Sequence, residues 1–165
     1  MPYAQFEVLL SNTETYRQFG NTEISFLFSA NKGSALLEVD KVASGGELSR
    51  LMLAIKYITA QSSNINTLVL DEIDAGVSGE IASLMGDMML EISKTNQLIA
   101  ISHLPQIASK AKTHLKVVKT VNNRNTISDV VVLNKEERIE EIAKLLSGKR
   151  LTAAAFNNAV ELLNQ

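Results

Sequence analysis

The chain has 165 residues, of which 45% are apolar and 21% charged, and it contains no cysteine. A chain of this length buries roughly 70% of the surface that it exposes when unfolded, which is enough for a core without disulfides. The lack of cysteine excludes a disulfide scaffold, a cysteine zinc site and a thiol nucleophile. The formal net charge is -2, so the chain does not have the excess of basic residues that a dedicated nucleic-acid-binding module carries.

Membrane insertion and export are not indicated either. The longest apolar stretches, such as VVVL at 130–133, are far shorter than the ~20 residues of a membrane span. The first residues lack the basic segment and apolar stretch of an export signal, so we expect a soluble, cytoplasmic protein. Six basic side chains in the C-terminal half could contact nucleic acid, but the acidic overall balance favours a solvated face: Lys110, Lys112, Lys116, Lys119, Lys149 and Arg150.

The first two thirds of the chain predict a hairpin followed by alternating helices and strands. Residues 3–10 and 24–28 are β-prone and are separated by the turn signal Gly20-Asn21, which predicts an antiparallel hairpin. Helical periodicity then predicts helices over 47–61 and around 81–92, and a further short helix opened by Pro105. Between them, the short apolar runs at 67–71 and 97–102 are typical of strands covered on both faces. Strands that are each followed by a helix indicate a parallel α/β arrangement.

The last third predicts a second hairpin and two helices. Residues 114–121 and 126–133 flank the turn NNRN, and His114 is assigned a structural place at the start of the first of these strands. Asn134 and Glu137 have the spacing of a capping box, and Thr152 is the predicted cap of the last helix. Because no repeat or linker interrupts the chain, we predict one domain over residues 1–165.

The first candidate site is the string Ser44-Gly45-Gly46-Glu47, which enters the helix of residues 47–61. Adjacent glycines allow backbone N–H groups to approach an anion closely, and the positive end of the helix dipole points the same way. This pattern suits a phosphate. The alternative is a capping box made by Ser44 and Glu47, which requires no ligand.

Two further candidates follow the predicted parallel strands. Asp71 and Glu72 end the first strand, and His103 follows the second, so all three lie at the edge where parallel sheets bind ligands. Asp71 suits Mg²⁺, and Glu72 suits the orientation or deprotonation of a water. Taken singly, the acids could cap a turn and His103 could be an ordinary loop residue. Together with an anion-cradling helix start, they form the set that phosphoryl transfer from a nucleotide requires.

These strings resemble the motifs of ATP-binding-cassette (ABC) ATPases. SGGE resembles their signature loop, LVLDE their Walker B strand, and His103 their switch histidine. Together, SGGELSR, DEIDAGVSG and ISHLPQIA resemble the RecN-type DNA-repair ATPases, relatives of the SMC proteins, over residues 6–163. Transporter ABC domains usually have Pro and Thr after the Walker B glutamate. Ile73 and Asp74 stand there in this chain, which favours the SMC-like branch.

The resemblance implies a role for each candidate residue. Ser44, Gly45 and Gly46, with Glu47 beside them, would contact ATP bound by a partner head. Asp71 would act on Mg²⁺ through water, Glu72 would be the catalytic base, and His103 would contact the γ-phosphate. Residues 74–79 would form the D-loop at the dimer interface. Ser78 stands where many ABC proteins have the D-loop aspartate, so a carboxylate-mediated D-loop role is not expected.

The chain has no GxxxxGK[ST] sequence, since its single Gly-Lys pair, Gly148-Lys149, continues into Arg150. The P-loop that holds the β- and γ-phosphates is therefore missing, and we expect this chain alone to be inactive. In the family, the P-loop lies in an N-terminal lobe beyond a long coiled coil. The resemblance thus implies a C-terminal ATPase lobe that lacks its P-loop lobe. Such a fragment is expected to expose an apolar patch or an open strand edge.

The resemblance implies a function in double-strand break repair and recombination. ATP sandwiched between two heads of a homodimer would control engagement with DNA in the cytoplasm, at the nucleoid. The partners would be the P-loop lobe and coiled coil of the same protein, a second head, and DNA. Two alternatives are the head lobe of another SMC or ABC ATPase and a non-catalytic interaction module whose SGGE is only a helix cap.

Overall fold

The computed structural model describes residues 1–42, 44–62, 65–121, 125–148 and 150–165. The chain divides into two compact units, Met1–Met52 and Leu53–Gln165, and each is described by itself. One domain over residues 1–165 stays a prediction. Among the described helices, none combines the length and the apolar character that crossing a membrane requires.

The first unit is built on an antiparallel sheet in the order β1-β2-β3. Its strands are β1 (Gln5–Arg17), β2 (Gly20–Ser29) and β3 (Leu37–Glu38). The predicted hairpin is confirmed, although both strands are longer than predicted. The chain reverses between Arg17 and Gly20, where Gly20 has a φ of 108° that favours glycine. The two-residue β3 was not predicted, because so short a strand carries no periodic pattern.

The helix that the SGGE string opens begins in this unit. It is α1 (Gly45–Ser62), which agrees with the predicted 47–61 to within two residues at its start. Leu51 on α1 is buried, and so are Phe28 and Ser29 at the end of β2. Elsewhere, the rings of Phe6 and Phe26 stack across the hairpin with centroids 6.0 Å apart.

The second unit contains the predicted parallel strands. They are β4 (Thr67–Asp71) and β5 (Gln97–Ile101), paired in register from Thr67 opposite Gln97 to Asp71 opposite Ile101. Helix α2 (Gly79–Ser93) connects them, and the short α3 (Pro105–Ala108) follows β5. Side chains from α1, β4, α2, α3 and the segment before α2 pack into one core cluster. Its buried members are Leu53, Ala60, Leu68, Leu70, Val77, Ala82, Met85, Met89, Ile92 and Ile107.

The prediction that these two strands are covered on both faces is wrong for this chain. Leu68 and Leu70 are buried, but Val69 between them is 62% exposed. Ile99 and Ile101 on β5 are also about half exposed, at 43% and 52%. The reason is that the sheet has only two strands in the described part of the chain, so its second face and its outer edges have no cover there. The expected apolar patch is therefore confirmed.

The remaining elements form a hairpin and a helical pair, as predicted. They are β6 (Leu115–Val121), β7 (Thr126–Val132), α4 (Lys135–Ser147) and α5 (Ala153–Leu163). Residues 122–124 of the predicted turn lie outside the described residues. The capping box is present, with Glu137 N donating to Asn134 Oδ1 at 2.9 Å and Asn134 N donating to Glu137 Oε2 at 2.8 Å. Thr152 caps α5 through a 3.1 Å bond from Ala155 N.

Candidate active site

Three predicted site residues lie at one edge of the β4–β5 sheet. Asp71 is the last residue of β4, Glu72 follows it, and His103 lies two residues after the end of β5. Because the strands are parallel and Asp71 is opposite Ile101, both strands end at the same level. The carboxyl ends of parallel strands are where such sheets bind ligands. The placement predicted for these three residues is therefore found.

Glu72 has a backbone conformation unusual for a residue with a side chain. Its φ is +46°, in the left-handed region, which costs roughly 1–2 kcal/mol for a residue other than glycine. Its N–H donates to Ile101 O at 3.1 Å, and its carbonyl accepts from Ala75 N at 3.0 Å. These bonds hold the strained turn, and the Glu72 side chain is exposed. Strain of this kind is concentrated at functional sites.

Asp71 offers a single accessible carboxylate. Its side chain is exposed at the strand end, and the described residues contain no cluster of three or more acidic or histidine ligands. Mg²⁺ retains several waters and takes one or two carboxylates together with substrate phosphates. Asp71 therefore fits a magnesium ion that takes one carboxylate from the protein and its other ligands from water and from the phosphates of a bound nucleotide.

His103 has a buried carboxylate behind it. Its side chain is 69% exposed, and its Nδ1 lies 3.9 Å from Oδ2 of Asp74, which is 1% exposed. Asp74 Oδ2 also accepts a hydrogen bond from Ser102 Oγ. From the sequence, Asp74 is a marker of the SMC-like branch and a D-loop residue, and neither Asp74 nor Ser102 is predicted to contact His103. The available signals were weak: an acid among the small and apolar residues of 73–77, and a serine directly before the histidine.

The segment between Glu72 and α2 is a tight turn that includes residues 74–78 of the predicted D-loop, and Gly79 is the first residue of α2. Gly76 and Gly79 have φ values of 72° and 58°, which side chains rarely adopt. Val77 is buried, and its N–H donates to Asp74 O at 3.1 Å. Ser78 precedes α2 and makes no capping hydrogen bond with its side chain. Its hydroxyl is therefore not committed to the helix start.

The SGGE residues belong to the first unit. Ser44 and Gly45 are exposed, and a Cβ added to Gly45 would meet no heavy atom within 4 Å. The Ser44 carbonyl accepts from the N–H groups of Glu47 and Leu48, each at 3.1 Å. The Glu47 carboxylate accepts from Asn31 Nδ2 at 3.3 Å, an interaction outside a capping box. At the start of α1, Ser44 and Gly45 are thus exposed, whereas Gly46 is buried.

His114 directly precedes β6, and its carbonyl accepts a hydrogen bond from Leu133 N at 2.9 Å. It is half-buried, and burial together with the Arg138 charge lowers the pKa of its imidazole. Both residues line a cavity of about 610 Å³. Of the basic residues interpreted as a solvated face, Lys110 pairs with Asp87 at 2.5 Å and Lys116 pairs with Glu141. Lys149 lies outside the described residues.

The sequence of this chain is similar to those of RecN DNA-repair proteins from several bacteria. A RecN DNA-repair protein of Rickettsia conorii is 42% identical over 164 residues, which is 99% of this chain. RecN of Vibrio cholerae is 38% identical over 99% of the chain, and RecN of Bacillus subtilis is 40% identical over 86%. The resemblance to RecN is confirmed. No protein-family model matches the chain.

The match covers only a part of each RecN relative. The chain spans 30% of the length of the Rickettsia conorii and Vibrio cholerae RecN proteins and 25% of that from Bacillus subtilis. The activity and partners of the whole protein are therefore considered below as proposals.

Solved structures show the same fold. The Smc head domain of Pyrococcus yayanosii, solved with a coiled coil and joint, has a TM-score of 0.68, with 21% identity over 90% of this chain and 26% of its own. A chain from a study of ATP-driven dimerization and DNA-stimulated activation of SMC ATPases has a TM-score of 0.62 and 19% identity, over 90% of this chain and 85% of its own. The predicted α/β head-lobe fold is confirmed.

Proposed function

We propose that this chain is the C-terminal head lobe of a RecN-type, SMC-like ATPase of DNA repair, which binds and hydrolyses ATP between two heads. The observation that carries the proposal is the meeting of Asp71, Glu72 and His103 at one sheet edge. It occurs in a chain that is similar to RecN over 99% of its length. The SMC-like fold supports the same assignment.

In this proposal each site residue has one role. Asp71 would hold Mg²⁺ through a bound water, and the ion would supply charge neutralisation at the phosphates. Glu72 accepts a proton from the attacking water, and its exposed side chain on a strained turn is accessible for that purpose. His103 contacts the γ-phosphate. Ser44, Gly45, Gly46 and Glu47 contact the ATP held by the partner head, with backbone N–H groups facing its phosphates.

The P-loop lobe of the same protein is the first proposed partner. The chain lacks the P-loop sequence, so another lobe must hold the β- and γ-phosphates. The exposed Val69, Ile99 and Ile101 give that lobe an apolar face to cover, next to the strand ends that carry Asp71 and His103. Covering this face also removes the open sheet edges. We expect the chain alone to be inactive.

The wider setting follows from the relatives. A coiled coil accompanies the head in the Smc structure named above, and the study of SMC ATPases concerns ATP-driven dimerization and DNA-stimulated activation. By analogy, we propose a coiled coil between the two lobes, a second head across ATP, DNA as the macromolecular target, and a cytoplasmic, nucleoid-associated location. The net charge of -2 indicates that other parts of the protein make most of the DNA contacts.

The test is the ATPase rate of a full-length RecN-type protein that contains this chain. Glu72→Gln removes the base and is expected to lower kcat by about 100-fold or more. Ser44→Arg places a long side chain at the helix start and is expected to abolish activity as well. Two matched controls, Glu80→Gln and Ser93→Arg, change exposed positions on α2 and are expected to leave the rate unchanged.

If the chain is a non-catalytic interaction module, the two substitutions are expected to leave the ATPase rate unchanged. If SGGE only caps α1 and the acids only end a strand, Glu72→Gln and Ser44→Arg will hydrolyse ATP at the same rate as their controls. That result would reject the catalytic assignment.

A further inference from the structure

Asp74 is a buried acid that packing alone does not explain. It is among the largest fully buried side chains of the described residues, at 1% exposure. Its Oδ1 is buried and has no hydrogen-bond partner within the part of the chain that the structure describes. Burying a carboxylate oxygen that makes no hydrogen bond destabilises a fold. A residue kept under that penalty is a candidate for a functional role.

The second oxygen of Asp74 connects two segments of the site. Asp74 Oδ2 accepts a hydrogen bond from Ser102 Oγ. Ser102 Oγ in turn accepts from Leu104 N at 3.0 Å, so the hydroxyl holds the backbone on both sides of His103. The same Oδ2 lies 3.9 Å from His103 Nδ1.

The backbone of Asp74 is also held by a hydrogen bond. Its carbonyl accepts from Val77 N at 3.1 Å, within the turn that starts at the strained Glu72. The carboxylate therefore joins the turn after β4, which carries the proposed base, to the loop after β5, which carries the proposed γ-phosphate contact.

We propose that Asp74 is a positioning residue that, through Ser102, sets the location and ring orientation of His103 relative to Glu72. This inference rests on the proposed function. Nδ1 is the ring nitrogen that lies 3.9 Å from Asp74 Oδ2, and this orientation leaves Nε2 as the nitrogen that faces outward. Small displacements of catalytic groups lower rates strongly, so Asp74 acts on kcat although it does not contact the nucleotide.

The first test compares Asp74→Asn and Ser102→Ala in the full-length protein. Each variant preserves most of the side-chain volume, and each is expected to lower kcat about tenfold or more, with KM for ATP within about a factor of two. Ser102→Thr retains the hydroxyl and is expected to restore activity. The control Asp87→Asn removes an exposed carboxylate on α2 and is expected to have no effect.

A double-mutant cycle and a spectroscopic signature separate positioning from simple destabilisation. If the two residues act as one unit, Asp74→Asn combined with Ser102→Ala will be no slower than the slower single variant. In histidine-labelled protein, assigned with His103→Gln, the ring ¹⁵N signals of His103 are expected to shift in Asp74→Asn and not in Asp87→Asn. A lower melting temperature with unchanged ring signals would instead indicate a purely structural acid.

The outcomes also distinguish this inference from the proposed function. Full activity and unchanged ring signals in Asp74→Asn, alongside an inactive Glu72→Gln, would overturn the role of Asp74 alone. Indifference of the rate to Glu72→Gln would overturn the proposed function. The ring signals of His103 would still report whether Asp74 orients it.

Discussion

The open face of the β4–β5 sheet leads to a quantitative prediction. Val69, Ile99 and Ile101 are 62%, 43% and 52% exposed, so about half of each side chain remains to be buried by a partner. Replacing all three by threonine retains the β-branched shape and the strand preference but reduces the apolar area. We expect this triple variant to bind the P-loop lobe of the same protein more weakly.

The size of the effect follows from the exposed fraction. Complete burial of a valine or isoleucine side chain contributes about 1.5–3 kcal/mol, so half-burial contributes about 1 kcal/mol for each residue. Threonine retains part of that area, which leaves a loss of about 2 kcal/mol for the triple variant. At 1.4 kcal/mol per factor of ten, the dissociation constant rises roughly 30-fold.

The dissociation constant is measured by isothermal titration calorimetry, in which this chain is titrated into a separately expressed P-loop lobe. Leu84→Gln is the matched control, because Leu84 is 57% exposed on α2 and lies off the sheet. It is expected to leave the affinity unchanged. Equal affinities for the wild type and the triple variant would refute the claim that this face is where the other lobe packs.

Three further predictions concern stability. Leu53→Ala creates a cavity at a position with 0% exposure in the main core of the second unit. It is expected to lower the free energy of unfolding, measured by urea titration, by about 2–5 kcal/mol. A loss below about 1 kcal/mol would contradict this core assignment. Asn134→Ala removes the capping box of α4 and is expected to lower the same quantity by about 1 kcal/mol; an unchanged urea midpoint would contradict this. Because the pKa of His114 is lowered from 6.5, the unfolded chain binds more protons in acid, so this residue lowers stability as the pH falls below 6.5 and has no such effect well above it. Melting temperatures of wild type and His114→Gln should therefore diverge in their pH dependence below 6.5, and parallel curves would contradict the lowered pKa.

The sequence predicted the helix starts and the parallel strands closely, because both have local chemical causes. The bonds that cap α4 and α5 are formed by the predicted residues Asn134, Glu137 and Thr152. The predicted strand 67–71 coincides with β4, since a short apolar run between turn signals allows few alternatives.

Features that depend on contacts between distant segments were less predictable. The apolar run 67–71 indicated burial on both faces, but an apolar residue shows only that a surface needs cover, not whether the chain itself supplies it. Val69 is exposed for this reason. Asp74 shows the reverse: an acid in a loop suggests exposure, but Asp74 is buried and accepts a hydrogen bond from Ser102, 28 residues away.

The central claim is that this chain contributes half of a nucleotide-binding interface between two heads. The most direct measurement is the mass in solution of a full-length protein carrying Glu72→Gln, with and without ATP. Under the proposed function, Glu72→Gln removes the base but leaves ATP binding intact, so ATP is expected to convert this variant into a stable head-to-head dimer. Adding Ser44→Arg should abolish that dimer. A dimer that forms equally well with Ser44→Arg, or an assembly state that ATP does not change, would contradict the claim.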